Sequence, residues 1–271
     1  MPAVEKPVAA ATIGDELAVA VREAGAFALQ KFRSTIKSWT KGAGSSPVSE
    51  VDIAVDEMLH ARLAAIDPAI AWLSEESVDD PARLRASCVW VVDPIDGTRA
   101  FLGGRNDWAI AAALVCRGRP LVAAIFAPAD DILFMATAGN GTTVNGRAVS
   151  ANDGDSLEGV RAAGPKRYLD ALAAAQPSFD TMPKVHSLAL RLARVGDGTL
   201  DVAFAGPNGH DWDLAAADLV VHEAGGVLTT IDGLQLTYNC PNPVHGALVA
   251  AGPVRHQIVL QLMRGQQAAF A

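Results

Sequence analysis

The stretch Trp90-Val91-Val92-Asp93-Pro94-Ile95-Asp96-Gly97-Thr98 decides the reading of this chain. Its apolar half, Val89–Val92, has the length and β-branched content of a buried strand, and it breaks into a turn punctuated by Pro and Gly. Pro94 fixes φ and Gly97 permits a tight backbone, so Asp93 and Asp96 can point into one space with the Ile95 carbonyl exposed. Ligands of open α/β sheets gather beyond the carboxyl ends of strands. Two acids just past such an end form a candidate site, although Asp-Pro-x-Asp-Gly is also an ordinary turn.

Working outward, other acids lie at comparable places. Glu75 and Glu76 follow an apolar run at Ile70–Leu73, and Asp213 follows Trp212 and opens a helical pattern over Leu214–Ala224. Upstream, Ser49 precedes a helix with Asp52 three residues on, a capping-box start. Val51, Val55 and Leu59 make the apolar stripe of that helix, while Asp52 and Asp56 share another face. Residues 14–33 read as a further amphipathic helix, and a Gly/Ser loop, Gly42 to Ser46, separates the two. Short apolar runs at Ala109–Val115, Leu121–Phe126 and Ile132–Met135 extend the sheet, and Asn145-Gly146 signals a hairpin.

After about residue 150 the texture alternates: helix Lys166–Ala175, strand Lys184–His186, helix Leu188–Val195, strand Leu200–Phe204, helix Leu214–Ala224, strands Val227–Thr230 and Ala247–Ala250, helix Val254–Arg264. Residues 1–150 therefore read as an N-terminal α+β half with the first acidic motif, and 151–271 as a C-terminal α/β half with Asp213 and the substrate-side residues.

Composition excludes several classes. The 271 residues are half apolar and 19% charged, which is a globular and not a disordered composition. The longest apolar stretch, Trp108–Cys116, falls far short of the roughly 18 residues of a spanning helix. Pro7 and the short run Val8–Ile13 argue against a secretory leader. The net charge of −8 argues against a nucleic-acid partner. Cys88, Cys116 and Cys240 are odd in number and far apart, and they read as buried, reduced thiols of a cytoplasmic protein.

Several carboxylates in one pocket repel each other and need protons or cations. Oxygen-only ligands select hard ions such as Mg²⁺ or Mn²⁺ over zinc. Two such ions about 4 Å apart can hold a phosphoryl oxygen, activate a water and stabilise a leaving oxygen, which points to phosphomonoester hydrolysis.

The flanks of these acids carry a resemblance. Residues Trp90 to Thr98 resemble the first signature of the inositol monophosphatase family, and Trp212-Asp213-Leu214-Ala215-Ala216-Ala217 with Glu223-Ala224-Gly225-Gly226 resembles the second. Leu73-Ser74-Glu75-Glu76-Ser77 is similar to its Gly-Glu-Glu segment, with Ser74 in place of Gly, and Ser49-Glu50-Val51-Asp52 is similar to its upstream acidic site. The resemblance implies an α/β fold layered as an α-β-α-β-α five-layer sandwich of the inositol monophosphatase and fructose-1,6-bisphosphatase type. It implies a Mg²⁺-dependent, lithium-sensitive phosphatase with two or three ions per site and Mn²⁺ as a substitute. Glu75, Asp93 and the Ile95 carbonyl would hold one ion, Asp93, Asp96 and Asp213 a second, and Asp52 a weaker third. Thr98 with Glu75 would orient the attacking water, and the N–H groups of Gly97 and Thr98 would receive the phosphate. The partner is then a small phosphate ester, with no nucleic acid or membrane, and the chain would form a homodimer as relatives commonly do.

For the ester, the residues before Trp212 lack the acid that inositol-specific relatives place there, and Asp211 is only partly comparable. Ser187-Leu188-Ala189-Leu190-Arg191 resembles the helix start where 3′-phosphoadenosine 5′-phosphate phosphatases carry a basic residue, so Arg191 would meet a second phosphate, with Ser187 and Asp211 beside the substrate. Arg99 and Arg105-Asn106-Asp107-Trp108-Ala109 also look like bacterial 3′(2′),5′-bisphosphate nucleotidases, although the gap from Pro207 to Trp212 is one residue longer. The expected reaction is 3′-phosphoadenosine 5′-phosphate to AMP and phosphate. Inositol 1-phosphate and then histidinol phosphate are the alternatives. His186 and His210 flank the substrate side and are assigned no catalytic role. A non-enzyme alternative, an interaction protein of the transcription machinery, is disfavoured because no acid of the site is missing.

Overall fold

The computed structural model describes residues 7–41, 46–176 and 178–265, so Gly42–Ser45 of the expected loop lie outside the described residues. The chain begins with α1 (Pro7–Lys31), the β1 (Ser38–Lys41) and β2 (Ser46–Ser49) ribbon, and α2 (Glu50–Ala64). It continues through β3 (Ala71–Ser74), β4 (Cys88–Asp96), α3 (Thr98–Leu102), β5 (Ala109–Cys116), β6 (Arg119–Ala127), β7 (Ile132–Thr137), β8 (Thr142–Val144) and β9 (Arg147–Val149). Then come β10 (Arg161–Ala163), α4 (Lys166–Ala175), β11 (Asp180–Thr181), α5 (Leu188–Gly196), β12 (Val202–Ala205), β13 (Gly209–His210) and α6 (Asp211–Glu223). The last elements are β14 (Val227–Thr230), β15 (Val244–His245), β16 (Leu248–Ala251) and α7 (Pro253–Gly265).

Strands β3 to β9 form a seven-stranded sheet in sequence order, parallel only between β3 and β4. The second sheet has the order β11-β10-β12-β16-β14. Side-chain alternation shows how the layers stack. In β4, Trp90 and Val92 face α1 and α2, whereas Val89 and Val91 join a core shared with α5 and α6. In β12, Ala203 and Ala205 face that same middle layer, and Val202 and Phe204 pack with α4 and α7. Both faces of both sheets are thus covered, giving the five-layer α-β-α-β-α sandwich. The middle core takes side chains from both sides of residue 150, including Ala111, Val115, Leu190 and Ala250.

Three expectations need correction. Residues 184–186 are not a strand: the sheet edge is β11, and the amide of His186 bonds to the Asp107 carboxylate at 2.8 Å in place of a ladder partner. Helix α6 starts at Asp211, with His210 as its N-cap, so Asp213 is the third residue of its first turn and does not open it. The thiols are not all reduced: β4 and β5 place Cys88 directly opposite Cys116, Cα atoms 4.1 Å apart, and the two are disulfide-bonded, leaving Cys240 free. Only the register reveals this, because 28 residues separate the pair in sequence. No helix among the described residues is long and apolar enough to cross a membrane.

Helix α1 lies close on β6. A Cβ on Gly25 would stand 2.5 Å from two Phe126 ring carbons and 2.9 Å from Pro128. Gly25→Ala gains about 1 kcal/mol of helix propensity and meets an overpacking cost of about 1–3 kcal/mol. Net destabilisation is expected, read as a lower urea midpoint, and a raised midpoint would show that the helix can lift off the sheet freely.

Candidate active site

A strand alternates with period two, so Asp93 and Asp96 would fall on opposite faces of a regular β4. The ladder resolves this with a bulge: Asp93 pairs with Ala111 and Asp96 with Ala109, so Pro94 and Ile95 together oppose Ile110. The Ile95 amide turns back to Asp93 Oδ1 at 3.1 Å. Gly97 follows in the left-handed region at φ +94°, where a Cβ would also press on the Ser187 amide at 3.1 Å and the Asp107 carbonyl at 3.2 Å. The bulge and this glycine bring both acids into one pocket.

Oxygens of Asp93, Asp96 and Asp213 all lie within 4.8 Å of one another. The pocket they share has a volume of about 230 Å³ and is also lined by Glu75, Ile95, Gly97, Thr98 and His186. Each acid is held by donors from a different part of the fold. Asp213 Oδ2 accepts the His210 N–H at 2.6 Å, the return bond of the α6 capping box. Asp96 accepts three bonds at the start of α5, from Ser187 Oγ (2.6 Å), Leu188 N (3.0 Å) and Ala189 N (2.6 Å). Asp52 completes the capping box of α2, accepting Ser49 N at 2.9 Å and Ser49 Oγ at 2.5 Å, and stands outside the cluster of three. Thr98 links it to the site, its hydroxyl lying 3.1 Å from both Asp52 Oδ1 and the Ile95 carbonyl, to only one of which its proton can go.

Burial and mutual repulsion dominate the electrostatics. Asp93 is pushed well above the usual carboxylate range by burial and then by Glu75, Asp96, Asp213 and Asp52. Asp213 is likewise raised by burial and Asp96. Burial lifts Asp96 to about 6 even against the Ser187, Ala189 and Leu188 bonds. Such a set holds protons until cations replace them. All-oxygen donors with a surplus of negative charge fit hard divalent ions, so the residues present suit Mg²⁺.

One cation that gave no signal in the sequence is Lys41. Lys41 Nζ lies 2.7 Å from Glu76 and 3.2 Å from Glu75, and burial still lifts Glu76 to about 7. A lone Lys beside a glycine-rich stretch gave no signal, since only the β1–β2 ribbon brings it to the site. Three residues expected beside the substrate already hold partners within the fold. The Arg191 guanidinium is largely buried and donates to the carbonyls of Val185 (2.9 Å) and Phe204 (3.1 Å), while the residue also borders a cavity of about 650 Å³. Ser187 is the N-cap of α5 and gives its hydroxyl to Asp96. Asp211 is fully buried, bonded to His245 Nε2 and the Asn239 amide at 2.7 Å each. His210 stacks on Trp212 with ring centroids 4.5 Å apart.

Ser187→Ala removes a donor from Asp96 and the cap of α5. Mg²⁺ affinity measured by titration calorimetry is expected to fall about 10-fold, with about 1 kcal/mol of stability lost. Unchanged affinity would show that Asp96 is positioned by the two amides alone.

The chain matches the inositol monophosphatase family over residues 12–267. A Streptomyces griseus protein named glucose-1-phosphate thymidylyltransferase is 36% identical over 197 residues, covering 69% of this chain and 74% of its own. A 3′-phosphoadenosine 5′-phosphate phosphatase of Mycobacterium bovis is 33% identical over 212 residues, covering 76% of this chain and 75% of its own. A solved IMPase/NADP phosphatase, in complex with Mg²⁺ and phosphate, superimposes with a TM-score of 0.81 at 20% identity over 94% of this chain and 95% of that one, a likeness of fold. From a match that runs through every layer of the fold it follows that the chain belongs to the inositol monophosphatase family, whose members are metal-dependent phosphoric monoester hydrolases.

Proposed function

We propose that the chain hydrolyses the 3′-phosphate of 3′-phosphoadenosine 5′-phosphate, giving AMP and phosphate. One observation carries the choice of ester. Lys184, whose ammonium has no partner among the described residues, lines both the acidic pocket and a larger neighbouring cavity of about 650 Å³. That cavity is walled by Leu169, Phe179 and Met182, with an apolar character and a volume suited to a nucleoside-sized body. A substrate with a scissile phosphate, an aromatic body and a second anionic group matches this sequence of acidic pocket, cation and apolar cavity. Lys184 thereby takes the role expected of Arg191.

Asp93, Asp96 and Asp213, with Glu75 and the Ile95 carbonyl, would hold Mg²⁺, and Asp52 would act behind Thr98. The ions would supply the positive field that binds phosphoryl oxygens and makes water nucleophilic at neutral pH. The chain's own groups do the positioning. The Gly97 and Thr98 amides, at the turn after β4, receive the phosphate. Glu75 and the Thr98 hydroxyl orient the water, and Asp52 keeps that hydroxyl in place. The carboxylates bind ions only after losing protons, so affinity falls as pH drops through their raised pKa values.

Phosphate release with Mg²⁺ from 3′-phosphoadenosine 5′-phosphate, inositol 1-phosphate, histidinol phosphate and fructose 1,6-bisphosphate tests the reading. A kcat/KM preference of about 100-fold for the nucleotide is expected, and preference for inositol 1-phosphate would overturn it. Lys184→Ala should raise KM for the nucleotide about 10- to 100-fold, the value of a charge-assisted contact, with inositol 1-phosphate little affected. Asp93→Asn should abolish turnover of every ester while the fold survives, and near-normal kcat in that variant would refute the metal assignment.

A further inference from the structure

Beside Lys184, the segment entering α5 brings a second side chain to the pocket wall, His186. Its ring is fixed. Nδ1 lies 2.6 Å from Asp107 Oδ2, and the same oxygen accepts the His186 amide at 2.8 Å. Asp107 is itself held, its carbonyl accepting the Ser187 amide at 3.1 Å and its Oδ1 accepting Arg105 Nε at 3.1 Å. An ionised carboxylate can only accept, so Nδ1 carries a proton and Nε2 is the end of the ring left to act. Among the described residues Nε2 has no hydrogen-bond partner, and the ring borders the same pocket as Glu75, Thr98 and Asp213. Burial pushes the Asp107 carboxyl up, but the His186 ring and amide outweigh it and hold the group below its ordinary value. The carboxylate thereby fixes the ring's tautomer and orientation. The same wall carries Lys184 and Arg99, and Arg105 holds the far oxygen of Asp107.

We propose that His186 is the general acid for the leaving oxygen of the ester, with Asp107 as its positioning residue. As the water oxygen bonds to phosphorus, the bond from phosphorus to the alcohol oxygen breaks, and its electron pair stays on that oxygen. The Nε2 proton passes to it. The water gives one proton to solvent by way of Glu75, and solvent returns one to Nε2 before the next turnover. One proton leaves the nucleophile and one enters the alcohol, so the ring ends the cycle unchanged. The proposal deepens the reading of the same site, resting on ester hydrolysis and not on which ester is preferred.

The test compares wild type, His186→Gln, His186→Ala and Asp107→Asn, all with Mg²⁺, on two substrates. One is the alkyl ester of the panel that turns over fastest, and the other is p-nitrophenyl phosphate, whose phenolate departs without a proton. Loss of the acid should lower kcat on the alkyl ester about 100-fold and on the aryl ester no more than about threefold. Asp107→Asn, which removes the acceptor that anchors Nδ1, should lose alkyl-ester turnover while sparing the aryl ester, as the His186 variants do. Equal losses on both esters, with circular dichroism unchanged, would overturn the proposal, as would undiminished alkyl turnover. A wild-type chain that turned over neither ester would sink the phosphatase reading and the proposal together.

Discussion

Everything around the site depends on keeping several carboxylates buried within a few ångströms of each other. Ionised groups out of water cost several kcal/mol each even after relaxation, and here their mutual repulsion adds to that. The fold offsets part of the cost with helix starts. Asp52 and Asp213 each sit at the third position of a capping box, and Asp96 receives the first amides of α5 together with its capping serine. The beginnings of helices offer unpaired N–H groups and a positive dipole end, each favouring a nearby anion by a fraction of a kcal/mol to about 2 kcal/mol. What remains uncompensated is left for cations, which is why the raised carboxylates are a statement about metal binding as much as about burial.

The layered architecture exists to bring those helix starts together. Helix α2 comes from the outer layer, while α5 and α6 come from the layer between the two sheets. The β4 bulge directs the acids from the first sheet toward them. The middle layer therefore has two tasks, filling the core with Leu190, Leu214, Ala217 and Val221 and orienting the two amide-rich starts of α5 and α6 at one point. The same entry into α5 that caps Asp96 also carries Lys184 and His186. The donors that hold Asp96, the Lys184 cation and a fixed imidazole thus share one stretch of backbone, the kind of support a catalytic constellation requires.

Much of this was legible in the chain itself. The β-branched run before Asp93, the Ser49 and Asp52 spacing and the Asn145-Gly146 turn are local signals, determined by backbone preferences within a few residues, and each element formed where such signals lay. The acids gathering at element ends were visible for the same reason. What was not legible has the opposite cause. Arg191, Ser187 and Asp211 are polar residues near the site in sequence, but their hydrogen bonds go to the Phe204 carbonyl, Asp96 and His245 respectively, partners no local pattern reveals. Lys41, Lys184 and the Asp107–His186 pair became functional candidates only through contacts spanning tens of residues. Sequence alone determined the elements and the chemical type of the site, because turn, cap and strand propensities act over short range. Tertiary structure decided which side chains are free to meet a substrate, because a polar group's availability depends on whatever long-range partner the folded chain has already placed against it.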